Sequence, residues 1–198
     1  MVQIKNTSRY QINPIYPLKE LPLMGKRSNF ERKERDFYAT PEECIVPLLP
    51  FLRDVSTFAE PCAGDGSLVR HLEKHWLTCN YSSDIEPLDI GIMQLDAMKL
   101  SAEDVKDCDV IISNTPWTRS IFHPMLEHFC SLKPTWLLAD ADWVHTRQSY
   151  RYVQLYLKTI VSIGRVKWFN NTSGKDNAVW MLFEKNCTQT PKFYGRGV

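Results

Sequence analysis

The chain has 198 residues, of which 43% are hydrophobic and 24% charged, with 8 Gly and 12 Pro. That length carries the core of one domain of ordinary size, and the composition excludes collagen, coiled coil and wholesale disorder. A formal charge of +1, from 24 Lys+Arg against 23 Asp+Glu, excludes a protein-wide basic coat but leaves room for a local basic patch.

In chain order, residues 1–36 come first and are unlike the rest. They hold eight Lys/Arg against four acids, and Pro14, Pro17, Pro22 and Gly25 break any helix before residue 26. The expected organisation is a basic N-terminal arm over 1–35 and a folded domain over 36–198. Thr40-Pro41-Glu42-Glu43 reads as a helix start, with Thr40 as N-cap, and Ile45, Leu48 and Leu49 share one face until Pro50. Short apolar strands then alternate with helices. Strands are expected at 55–60, 79–84, 92–95, 109–113 and 135–139, and helices at 68–77, 121–132 and 149–158. Two strand-like runs close the chain, 160–169 and 178–183, joined by a polar tip as a hairpin. Alternating β and α with a terminal hairpin predicts an α/β fold with a mainly parallel sheet and an antiparallel edge.

No apolar run approaches the ~20 residues of a membrane helix, and Met1–Tyr10 has no apolar stretch of a secretory signal. The expected setting is the cytoplasm. The six cysteines, Cys44, Cys62, Cys79, Cys108, Cys130 and Cys187, form no C-x-x-C pair. They read as reduced, mostly buried thiols rather than zinc ligands. His71 and His75 are four apart but lack the glutamate of an H-E-x-x-H site, so no metal is expected.

Ligands of open α/β sheets sit beyond the carboxyl ends of the strands, so those ends hold the chemistry. The first strand runs through Glu60-Pro61-Cys62-Ala63-Gly64-Asp65-Gly66 into a helix. Glycines there let a ligand approach the backbone, and the helix start offers N–H groups. No Gly-Lys-Ser/Thr follows, so this is not a P-loop, and Leu68-Val69 break the dinucleotide fingerprint. Two acids, Glu60 and Asp65, disfavour a pyrophosphate and suit a cationic or zwitterionic ligand. The second strand ends in Asp84-Ile85: the acid is placed for ribose hydroxyls and Ile85 for one face of an adenine. The third ends in Asp96-Ala97, an acid suited to an adenine amino group. The fourth ends in Asn114-Thr115-Pro116-Trp117.

Together these segments resemble the class I S-adenosylmethionine-dependent methyltransferases, and within them the amino-group type that methylates adenine in DNA. The family's Tyr-x-Thr-Pro segment is matched by Tyr38 to Pro41, and its Pro-x-x-Gly-x-Gly loop by Pro61 to Gly66. Its acids after the second and third strands are matched by Asp84 and Asp96, and its Asn/Asp-Pro-Pro-aromatic tetrapeptide by Asn114 to Trp117. The resemblance covers residues 36–184. It implies a Rossmann-like, seven-stranded mixed sheet with a C-terminal antiparallel hairpin, and S-adenosyl-L-methionine as cofactor. The cofactor residues would be Tyr38, Thr40, Glu60, Pro61, Ala63, Gly64, Gly66, Asp84, Ile85, Asp96, Ala97 and Asn114. The catalytic set would be Asn114, Thr115, Pro116 and Trp117, with Trp117, Phe169 and Lys175 on the substrate.

The family's first proline is Thr115 here; its carbonyl is kept and the fixed φ is lost. The implied activity is methyl transfer to the exocyclic amino group of adenine in DNA. Little length remains for a separate recognition domain, so low or very short sequence specificity is expected, as in small phage-like enzymes. Phosphate contacts would come from the arm and from Lys185, Lys192 and Arg196. Other readings of the same pattern are cytosine in DNA, adenine in RNA, a protein glutamine, or a cofactor-binding module without catalysis.

Overall fold

The computed structural model describes residues 38–168 and 177–197. The basic arm, Phe169 and Lys175 lie outside these residues. Eight strands form one sheet: β1 (Thr57–Glu60), β2 (Thr78–Asp84), β3 (Met93–Gln94), β4 (Val110–Ser113), β5 (Thr135–Asp140), β6 (Leu157–Arg165), β7 (Asn177–Phe183) and β8 (Lys192–Tyr194). Their order is β3-β2-β1-β4-β5-β7-β6-β8. β1 to β5 pair parallel, and β7 lies antiparallel between β5 and β6. The reversal of order beside β1 brings the ends of β1 and β4 together, and this opens a crevice at their carboxyl ends.

The sheet is covered on both faces, as a mainly parallel sheet must be. Strand alternation divides the side chains. Val110 and Ile112 of β4, Trp136 and Leu138 of β5 and Trp180 of β7 meet Ile45, Leu48, Leu68 and Leu72 on one face. Ile111, Leu137, Val179 and Met181 meet Phe122, Leu126 and Phe129 on the other. Those last three belong to helix α2 (Arg119–Leu132), whose i, i+4, i+7 apolar spacing puts them on one stripe. Helix α1 (Ser67–Glu73) follows the glycine loop, and α3 (Tyr150–Leu155) precedes β6.

Three expectations are corrected. The sheet has eight strands, because Lys192–Tyr194 adds to β6 in parallel. Those residues are all exposed, so the segment has no apolar alternation to betray a strand and joins by backbone bonds. Thr40 caps no helix. The segment after it is a pair of short 3-10 turns, Glu42–Cys44 and Leu49–Phe51, and the first is preceded by Pro41 with no side-chain cap. Ile45 and Leu48 are still buried as the apolar pattern requires. Finally, the helix expected to reach residue 158 stops at Leu155, and β6 begins at Leu157. Leu157 and Lys158 alternate buried and half-buried in strand register, which overrides the helical spacing before them.

All six cysteines are free thiols; Cys44, Cys108 and Cys130 are buried. Among the described residues no helix is long and apolar enough to cross a membrane.

Candidate functional site

The loop after β1 is shaped by two glycines with positive φ, Gly64 at 54° and Gly66 at 76°. A side chain on Gly66 would be strained and would put its Cβ 2.8 Å from Arg70 Nη1. The loop is tied to β2 at two points. Ala63 N–H donates to the Ser83 carbonyl at 2.9 Å, and Gly64 N–H donates to Asp84 Oδ2 at 2.9 Å. Asp84 Oδ1 accepts from Glu86 N–H at 2.8 Å. A carboxylate has about four acceptor positions, so Asp84 retains capacity for a ligand's hydroxyls. Ile85 beside it is 56% exposed, open to a flat ring.

Glu60 ends β1 and is fully buried. Its Oε1 accepts from Ser113 Oγ at 2.7 Å and Cys62 N–H at 3.1 Å, while Oε2 has no donor. Burial pushes the carboxyl up to about 8 against the pull of the Ser113 and Cys62 hydrogen bonds. A buried acceptor without a donor is costly. Beside a glycine loop it fits a ligand that brings N–H groups, such as the ammonium of a zwitterionic amino acid. The residues present therefore fit the donor and acceptor pattern of S-adenosylmethionine. In that fit Glu60 would meet the amino-acid end, Asp84 the ribose hydroxyls and Ile85 the adenine ring.

Asp96 follows β3, and its Oδ1 accepts from Met98 N–H at 2.9 Å, capping the 3-10 turn Ala97–Lys99. Ala97 is buried in the core, so only its backbone could meet a ligand. Pro61 and Ala63 are likewise buried in the loop.

The end of β4 holds the tetrapeptide. Asn114 Nδ2 donates to the Tyr38 carbonyl at 3.2 Å and to Thr40 Oγ1 at 3.1 Å. A carbonyl can only accept, so the amide must turn its nitrogen toward Tyr38. Oδ1 is thereby turned the other way and held as an acceptor. The Tyr-x-Thr segment thus supports Asn114 directly, which is why Thr40 is buried rather than capping a helix. Thr115 is 2% exposed, and its hydroxyl has no partner. Pro116 is half-buried. Trp117 Nε1 donates to the Leu138 carbonyl at 3.0 Å, anchoring the indole to the end of β5.

Two residues of this region escaped the sequence reading. Ser113 is fully buried and joins β4 to Glu60. Its position one before the tetrapeptide was the available signal. Trp168 follows β6 and meets Trp117 edge-on, ring centroids 5.5 Å apart, and Tyr38 at 6.0 Å. The structure therefore gathers Tyr38, Thr40, Glu60, Asn114, Trp117 and Trp168 at neighbouring strand ends, with the glycine loop and Asp84 alongside.

No family model and no curated protein sequence matches the chain. Solved structures do. A candidate RNA methyltransferase from Pyrococcus horikoshii superposes with a TM-score of 0.55 at 12% identity, covering 82% of this chain and 94% of that one. A Thermoplasma acidophilum protein gives 0.52 at 12% identity, covering 72% and 84%. A candidate hemolysin from Streptococcus thermophilus gives 0.52 at 9% identity, covering 81% and 71%. The strand order, the antiparallel β7 between β5 and β6, and these superpositions establish the fold as the Rossmann-like α/β fold of class I methyltransferases.

Proposed function

We propose that the chain is an S-adenosylmethionine-dependent methyltransferase acting on the exocyclic amino group of adenine in DNA. The observation that carries this reading is the Asn114 amide. Its nitrogen is committed to Tyr38 and Thr40, which leaves Oδ1 as a fixed acceptor at the sheet's ligand end.

An aromatic amine is a poor nucleophile because its lone pair is shared with the ring. Asn114 Oδ1 and the Thr115 carbonyl, adjacent in sequence, are a pair of acceptors for its two N–H bonds. Accepting both pulls the nitrogen toward tetrahedral geometry and frees the lone pair. One acceptor is a backbone carbonyl and the other a side-chain oxygen whose amide is held by Tyr38 and Thr40, so neither needs rearrangement and positioning supplies most of the rate. Trp117, fixed through Nε1, offers a ring on which a base turned out of its stack can rest, worth ~1–3 kcal/mol. Phe169 and Lys175 are assigned to the substrate side by the same reading. When bound, S-adenosylmethionine would supply an electrophilic methyl on sulfur, and the glycine loop, Glu60, Asp84 and Ile85 would hold it.

The proposed domain plan is the catalytic domain over 36–198, with the arm over 1–35 adding phosphate affinity without sequence information. Low or short sequence specificity follows from that division. A second reading, adenine in RNA, takes support from the name of the Pyrococcus horikoshii neighbour. The deciding experiment is transfer of labelled methyl from S-adenosylmethionine to matched DNA and RNA oligonucleotides, with product bases identified by mass. N6-methyladenine in DNA is expected. Product confined to RNA would move the assignment to the second reading, and transfer to neither would remove it.

A further inference from the structure

Beside the tetrapeptide the surface carries a feature that the catalytic reading does not use. The segment after β5 folds into a tight turn and then α3. Thr146 Oγ1 donates to the Trp143 carbonyl and accepts from Ser149 N–H. The buried Ser149 hydroxyl lies within hydrogen-bond distance of the Val144 and Thr146 carbonyls. Trp143 Nε1 reaches His123 Nε2 at 3.0 Å, pinning the segment to α2. This turn is rigid, yet it presents exposed Arg147 and Tyr150 around an open concavity of about 550 Å³, together with Val144 and His145. Tyr150 is 69% exposed.

The link to the site is Arg119, the first residue of α2 and two residues after Trp117. Its Nη1 donates to Gln148 Oε1 at 3.3 Å, so Arg119 and the turn form one continuous surface. Residues 143–158 contain no Asp or Glu. Arg151 is not part of the patch, because it pairs with Glu127. Asp140 and Asp142 precede the turn, and Asp142 N–H is bonded back onto Asp140. Among the described residues, Arg147 has no acidic partner.

We infer that this surface seats the DNA strand flanking the target base, with Arg119 and Arg147 on phosphates and the Tyr150 ring against a neighbouring base. A guanidinium without an acidic partner on a rigid turn, Arg147, beside a second one held by a neutral side chain, Arg119 on Gln148, matches phosphate oxygens in geometry and charge. An exposed tyrosine lining the same concavity as Arg147 is the pattern of single-strand grooves, in which bases stack on aromatic rings while basic groups follow the backbone. The inference rests on the methyltransferase reading for the position of the target base, but its test does not need turnover.

The experiment measures binding of a fluorescein-labelled 20-nucleotide DNA strand to the full chain across a salt series. Arg147→Gln, Arg119→Gln with Arg147→Gln, and Tyr150→Ala are compared with wild type and with Arg53→Gln, which lies ahead of β1 at the opposite end of the sheet. Each lost phosphate contact lowers the slope of log K against log salt by ~0.7. Arg147→Gln is expected to lower it by one such step and the double variant by two, with Tyr150→Ala weakening binding at unchanged slope. S-adenosylmethionine affinity and the Arg53→Gln control should match wild type. The Arg147 side chain makes no hydrogen bond or ion pair among the described residues, so its single variant reports cleanly should Arg119→Gln perturb the turn. Wild-type slope and affinity in Arg147→Gln, or no DNA binding by wild type, would overturn the inference. Methyl transfer to DNA with an unchanged Arg147→Gln slope would sink this surface and leave the catalytic reading standing. A lowered slope in a chain that transfers no methyl would do the reverse.

Discussion

Ser113 Oγ donates to Glu60 Oε1 at 2.7 Å across 53 positions of sequence. This bond joins the strand that ends in Asn114 to the strand that feeds the glycine loop. It also holds a carboxyl inside the protein with one oxygen unpartnered. The pair has a pH signature. The Glu60 carboxyl rises from 4.5 to about 8 on burial. Below the lower value folded and unfolded chains both hold the proton. Between the two the unfolded chain has released it and the folded chain keeps it. Stability therefore falls as pH rises across this window, at ~1.4 kcal/mol per unit at its steepest, and levels off above it. Glu60→Gln removes that titration. Melting temperature measured from pH 5 to 9 should fall less in the variant than in wild type, and parallel curves would contradict the assignment.

Asp84 is expected to matter through both of its oxygens. It fixes Gly64 and Glu86 and is proposed to bind ribose. Asp84→Ala should weaken S-adenosylmethionine binding by ~1.5–3 kcal/mol, the scale of charge-assisted hydrogen bonds. Calorimetry on a variant that keeps its circular dichroism spectrum checks this. Unchanged affinity would remove Asp84 from the cofactor site.

Much of this arrangement was legible beforehand, and the exceptions have physical causes. Strand ends carry ligands in such sheets, so the glycine loop, Asp84 and Asn114 could be placed from chain order alone. The Tyr38–Thr40 segment was found by its motif, but its local chemistry pointed the wrong way. A Thr before a Pro suits a helix cap, and here tertiary contact with Asn114 claimed the hydroxyl instead. Ser113 and Trp168 were passed over because their contacts join distant strands, which periodicity does not register. β8 was passed over because an exposed edge strand needs no apolar face. Lys192, counted as tail charge, stands in that strand.

Thr115 occupies the place of the family's first proline and buries a hydroxyl with no partner. Thr115→Val keeps the carbonyl and the shape while removing that hydroxyl. It should raise stability by ~1 kcal/mol, since an unsatisfied buried group costs about that much, and should leave methyl transfer within a few-fold of wild type. Thr115→Pro should keep or raise activity. Loss of activity in Thr115→Val would give the hydroxyl a role of its own.

The arm makes a separate prediction. Deleting residues 1–27, which carry five Lys/Arg and one Glu, should weaken DNA binding and flatten its salt dependence, because each lost phosphate contact removes ~0.7–0.9 of slope. Identical affinity and slope in a folded deletion variant would show that the arm plays no part in binding.

Asn114 carries the proposed mechanism, and one measurement tests that role most directly. Single-turnover methyl transfer to an adenine-containing DNA strand should fall by roughly two to three orders of magnitude in Asn114→Ala, the scale for one preorganised polar contact, while S-adenosylmethionine affinity stays nearly intact. A variant that transfers methyl at close to the wild-type rate would contradict the acceptor mechanism and the function built on it.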